Sequence, residues 1–148
     1  MKLKLLYVLP LLAILTGGCL GGGNKTAPTP IPDGTYSGQF RLLHIHTDRI
    51  TIDTVKTNIV VYMSPSSTYT VTGDTSTVHA GSKGSFRADP VNNVITFTDN
   101  TYSSTAPVTK THLTGTYAYA YDGVNFKMEA YGAQDTLRLQ YDLKKTGN

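Results

Sequence analysis

A two-residue rhythm of apolar and polar side chains dominates the C-terminal third of this chain, and that rhythm admits strands and little else. Successive side chains of a strand point to opposite faces. From Leu113 to Tyr121, Leu113, Gly115, Tyr117, Tyr119 and Tyr121 share one face, while Thr114, Thr116, Ala118 and Ala120 take the other. Asp122-Gly123 follows and reads as a type I′ hairpin turn, with positive φ expected at both central positions. The next strand, Val124 to Tyr131, is expected to put Val124, Phe126, Met128 and Ala130 inward and Lys127 and Glu129 outward. Gly132-Ala133-Gln134 turns the chain again. The last strand sets Leu137, Leu139, Tyr141 and Leu143 against Arg138, Gln140, Asp142 and Lys144. Antiparallel strands with one wet face have this pattern.

Upstream, strands are expected near 34–46, 50–63, 67–73, 83–88 and 93–98. Breaks fall at Asp48-Arg49, Pro65, Gly73-Asp74, Pro90, Asn92-Asn93 and Asp99-Asn100, and a Ser/Thr loop runs from Thr101 to about Thr111. Nine of the ten acidic residues are the turn former Asp, and only Glu129 is the helix-favouring Glu. No helical period follows residue 18. The count is therefore about eight short antiparallel strands in an all-β domain. Hairpin-length links favour an up-and-down barrel, which removes exposed sheet edges. A β-sandwich is the rival architecture.

The N-terminus carries an address. Lys2 and Lys4 precede an apolar stretch from Leu5 to Leu15, too short to cross a hydrocarbon core of ~30 Å as a helix. Residues 1–18 are therefore expected to be a signal peptide. Leu15-Thr16-Gly17-Gly18-Cys19 resembles the bacterial lipobox, with Thr16 where Leu is most common, and Cys19 is the only cysteine. The resemblance implies cleavage before Cys19 and lipid attachment to it, which would also remove a lone thiol from an oxidising compartment. Leu20 rather than Asp follows the cysteine, and the familiar sorting rule then implies the outer membrane. Residues 19–32 form the lipidated Cys and a Gly/Pro tether, and 33–148 the single β domain. Setting aside Lys2 and Lys4 leaves eleven basic residues against ten acidic ones. That near-neutral balance, with scattered cations, gives no ground for nucleic-acid binding.

Two short runs carry a wider resemblance. Gly34-Thr35-Tyr36-Ser37-Gly38-Gln39-Phe40 echoes the Gly-x-Trp opening of lipocalin barrels, with Tyr36 in place of Trp. The closing part is Leu113-Thr114-Gly115-Thr116-Tyr117, Asp122-Gly123 and Tyr141-Asp142-Leu143. Together with the lipobox and tether, the chain resembles the lipocalin-like, or calycin-type, small bacterial lipoproteins. The Leu-Thr-Gly-Thr-Tyr run is also similar to a strand of biotin-binding barrels. Those sites depend on tryptophan, and this chain has none, so biotin binding is not carried over.

The search for chemistry yields little catalysis. His44 and His46 form His-x-His, two imidazoles on one strand face, but His79 and His112 lie in expected loops. A catalytic zinc needs three protein ligands and a structural one four, so no metal or other cofactor is expected. A bulge near Leu42-Leu43 would turn both histidines to solvent. Asp33, Asp48, Asp74, Asp89, Asp99, Asp122 and Asp135 fall at turns, where aspartate caps amides; only Asp53, Glu129 and Asp142 fall within strands, mostly on outward positions. No serine has a Gly-x-Ser-x-Gly context, and the chain is expected not to be an enzyme. The aromatic residues remain. Tyr36, Phe40, Tyr69, Tyr117, Tyr119, Tyr121, Phe126 and Tyr141 are expected to face the interior. They would either line a cavity for a small apolar or amphipathic ligand or fill the barrel outright. In the second case the domain is a protein-interaction module, such as an accessory subunit or an inhibitor of a cell-envelope enzyme.

Overall fold

The computed structural model describes residues 28–102, 109–131 and 136–148. The signal segment, Cys19, the start of the tether, the middle of the Ser/Thr loop, the Gly132-Ala133-Gln134 turn and Asp135 lie outside the described residues. Eight strands follow in order: β1 (Gly34–Ile45), β2 (Ile52–Met63), β3 (Thr68–Gly73), β4 (Lys83–Asp89), β5 (Val94–Asp99), β6 (Gly115–Tyr121), β7 (Asn125–Tyr131) and β8 (Leu137–Gly147). Each pairs antiparallel with the next, and β8 returns to β1, so the sheet closes into an up-and-down barrel. The all-β barrel expected from the alternation is present, and the sandwich is excluded.

Closure demands tight corners. A Cβ on Gly38 would lie 2.1 Å from the Asp142 carbonyl oxygen of β8, and one on Gly84 would lie 1.9 Å from that of Thr98 on β5. Only glycine lets neighbouring strands approach so closely. Alternate residues of all eight strands then turn inward. Tyr36, Phe40, Ile59, Val61, Met63, Tyr69, Val71, Phe86, Ile95, Phe97, Tyr117, Tyr119, Tyr121, Phe126, Met128, Tyr141 and Leu143 form one buried core.

Strand parity gives the barrel two ends. At one end lie the start of β1, the end of β8 and the turns after β2, β4 and β6; Pro28–Asp33 arrive there as well. At the other lie the β1–β2 hairpin and the connections after β3, β5 and β7. The last residues of the expected tether are docked rather than free. The Thr29 amide donates to the Pro90 carbonyl at 3.3 Å, the Thr29 hydroxyl donates to Asn93 Oδ1, and the Tyr119 hydroxyl donates to the Pro30 carbonyl.

Four local expectations need correction. Asp122 does not occupy a central turn position with positive φ. Gly123 alone has it (φ +96°), while the Asp122 carboxylate accepts the amides of Val124 and Asn125 at 2.9 and 2.6 Å. The side-chain cap holds Asp122 at the strand end and moves the two-residue loop to Gly123-Val124. Val124 consequently sits in the turn and is 46% exposed instead of inward. Leu137 keeps inward parity, but it opens β8 beyond the rim of the short strands and is also exposed. Finally, β1 pairs with β2 without a break from Gly34↔Met63 to Ile45↔Ile52, so no bulge interrupts Leu42-Leu43. The register shift in β1 lies at Thr35/Tyr36 against β8.

Candidate functional site

All eight aromatic residues proposed to line the interior are inside the barrel, none more than 8% exposed. They pack against one another. Tyr36 packs edge-on to Tyr121 at 5.8 Å and tilted on Phe126 at 5.3 Å. Phe40 meets Tyr141 at 4.9 Å, and Tyr117 meets Tyr141 edge-on at 5.6 Å. Edge-to-face and tilted pairs at these centroid distances are favourable beyond the area they bury.

The phenol hydroxyls are also taken up by the chain itself. Tyr36 donates to the Asp33 carbonyl at 2.7 Å, Tyr117 to that of Thr114 at 3.1 Å, and Tyr121 to that of Gly123 at 3.0 Å. Tyr69 donates to the buried Leu113 carbonyl. Burial raises the Tyr36, Tyr69 and Tyr141 phenols well above their usual range and brings Tyr117 to about 12. A charged phenolate in an apolar interior loses its hydration. These four phenols therefore stay neutral donors at physiological pH, which suits packing.

The far end of the interior is closed by a residue expected in a loop. His79 sits in the connection between β3 and β4, yet it is fully buried. Its ring lies edge-on to Phe40 at 4.8 Å. Nδ1 is 2.6 Å from the Ala80 carbonyl oxygen, and Nε2 is 2.9 Å from the Tyr141 hydroxyl. A carbonyl only accepts, so Nδ1 carries the proton, and Nε2 accepts from Tyr141. Desolvation lowers the His79 pKa to about 4 and keeps the ring neutral. A parallel bridge between His79 and Thr111 ties this connection to the one before β6. Leu113, also buried, and Ser82, which accepts the Leu113 amide at 3.2 Å, complete the closure. A single histidine between a valine and an alanine carries no periodic signal, and only the folded connection reveals its place.

The aspartates are where turn chemistry predicts. Asp48, Asp89, Asp99 and Asp122 each accept backbone amides two or three residues beyond them. Asp99 also holds His112 Nδ1 at 2.7 Å. Burial opposes its ionisation, but hydrogen bonds from Thr101, His112 and Ser82 outweigh that and lower its pKa.

Two outer features remain. A groove of about 350 Å³ crosses the outside of β6, β7, β8 and β1. Ala118 and Ala120 form its low floor; Arg41, Lys127, Glu129 and Asp142 stand around it. At the far rim, Ile50, Ile52, Val55 and Leu137 are all exposed, Ile50 at 85%. His44, His46 and Asp53 lie on the same rim, and all three are exposed. Comparison with protein-family models, with curated proteins and with solved structures gives no match.

Proposed function

We propose that this chain is an envelope lipoprotein, anchored through Cys19, whose lipocalin-like barrel is a protein-interaction module. The carrying observation is the state of the interior. The eight aromatic side chains that would line a ligand cavity pack against one another, and six of their phenols bond to the chain's own carbonyls or to His79. An apolar ligand would have to displace those rings and leave buried acceptors without donors, at about 1–3 kcal/mol each. The exposed apolar side chains gathered on the far rim give a partner something to bury. An accessory subunit or an inhibitor of a cell-envelope enzyme has this form: a rigid, closed barrel held near a membrane with its contact surface facing away.

Native mass spectrometry of the purified protein, with titration by an environment-sensitive apolar dye, tests the filled interior. The expected outcome is the bare lipoprotein mass and no saturable dye binding. In-cell photocrosslinking tests the surface: a probe at Ile50 or Leu137 should give a discrete protein adduct, and one at Ser66 on the opposite end should not. A stoichiometric small molecule that persists across preparations, or saturable dye binding lost in Tyr117→Trp, would replace the module with a ligand carrier.

A further inference from the structure

The β1–β2 ribbon brings three metal-ligating side chains together where the sequence offered only two. Ile45 pairs with Ile52 and His44 with Asp53, so His44 and Asp53 stand directly opposite on one face of the ribbon. His46, two residues beyond His44, points to the same side. The imidazoles of His44 and His46 stack at 5.2 Å with an interplanar angle of 29°. His46 Nε2 lies 2.7 Å from Asp53 Oδ2. One ligand atom from each of the three lies within 4.8 Å of the other two.

We propose that His44, His46 and Asp53 form a binding site for a divalent transition metal of the zinc, copper or nickel class. Two imidazole nitrogens and one carboxylate oxygen are the donors this class favours over magnesium or calcium, which take oxygen. Two ligands ~2.0 Å from a tetrahedral ion lie ~3.3 Å apart, a spacing between the present 2.7 Å of His46 and Asp53 and the 4.8 Å limit of the cluster. The ribbon beneath them is fixed. The His46 amide donates to the Thr51 carbonyl at 3.0 Å, and the Asp48 carboxylate accepts the amides of Ile50 and Thr51 at 2.9 Å each. Three protein donors leave a fourth position for water or for a donor from a docked molecule. The rim location keeps that position accessible.

The test uses the full chain, untagged and with Cys19→Ser throughout so that no thiol competes. Calorimetric titration with zinc, nickel and copper salts is read beside histidine ring-nitrogen NMR. The expected result is one metal ion per chain, with resonances of His44 and His46 shifting and those of buried His79 unmoved. His44→Ala and Asp53→Asn should each weaken binding about tenfold or more. Both side chains are exposed, so thermal unfolding should confirm that these variants fold. No saturable binding at millimolar metal overturns the proposal. So does binding that survives His44→Ala unchanged, or ring shifts centred on His112 beside Asp99.

Discussion

Replacing His79 by glutamine should flatten the acid limb of the stability profile, and the size of the effect follows from its burial. In the folded barrel His79 is neutral, with a pKa of about 4 set first by desolvation. In the unfolded chain it returns to about 6.5. Between those values the unfolded state binds a proton that the folded state refuses. Stability from this residue is therefore fully present above pH 6.5 and is lost as pH falls toward 4. At 1.36 kcal/mol per pH unit, the loss is about 3 kcal/mol over that window. The depressed carboxylates act in the same direction but lower on the scale. Asp48 and Asp122 are held at about 2, by side-chain hydrogen bonds from Thr51 and Asn125 respectively, then by backbone amides. Their contribution is lost only as pH falls below the usual carboxylate value near 4, outside the histidine window. Urea denaturation at pH 7.5, 6, 5 and 4 gives the profile. Wild type should lose about 3 kcal/mol more than His79→Gln between pH 6.5 and 4. Parallel profiles for the two proteins would refute a buried neutral imidazole.

Other outcomes follow from the same geometry. Cys19→Ala should abolish incorporation of labelled lipid and release the protein from membranes; unchanged labelling and retention would sink the anchor. Gly84→Val should destabilise by at least about 2 kcal/mol, because its Cβ would meet the Thr98 carbonyl oxygen and not a flexible side chain; an unchanged urea midpoint would count against the tight corner. Tyr69→Phe should cost about 1–3 kcal/mol by leaving the buried Leu113 carbonyl without its donor, whereas Tyr62→Phe on the exposed face of β2 should be within about 0.5 kcal/mol of wild type.

Most of the fold was legible because alternation and turn chemistry act locally. Strand ends fall within two residues of those expected wherever a turn former sits at the break, as at Gly73 and at Asn93, which adopts φ +55°. The errors fall where a side chain competes with the backbone for the turn. Asp122 looked like a turn centre and is a cap, which moved Val124 out of the core. The candidate sites were less legible. The inward tyrosines follow from parity, but whether they line a void depends on Phe40, Phe126 and a loop histidine meeting them in three dimensions. The Asp53 partner of His44 needed the hairpin register. The turn at Asp48-Arg49 already implied that register, since positions 44 and 53 lie symmetrically about it. His79 had no local signature.

An even number of strands returns both barrel ends of the chain to one rim. Gly34 begins beside Met63, and Gly147 finishes beside Thr35, next to the docked Pro28–Asp33 segment. Under the proposed anchor, a reporter fused after Asn148 would emerge from the membrane-side rim, at the opposite end from the proposed contact surface. The hairpin tip at Ile50, roughly 30 Å away along tilted twelve-residue strands, would stay uncovered. Handles for imaging or capture therefore belong at the C-terminus, and insertions at the 46–51 turn will probe whatever approaches from the aqueous side.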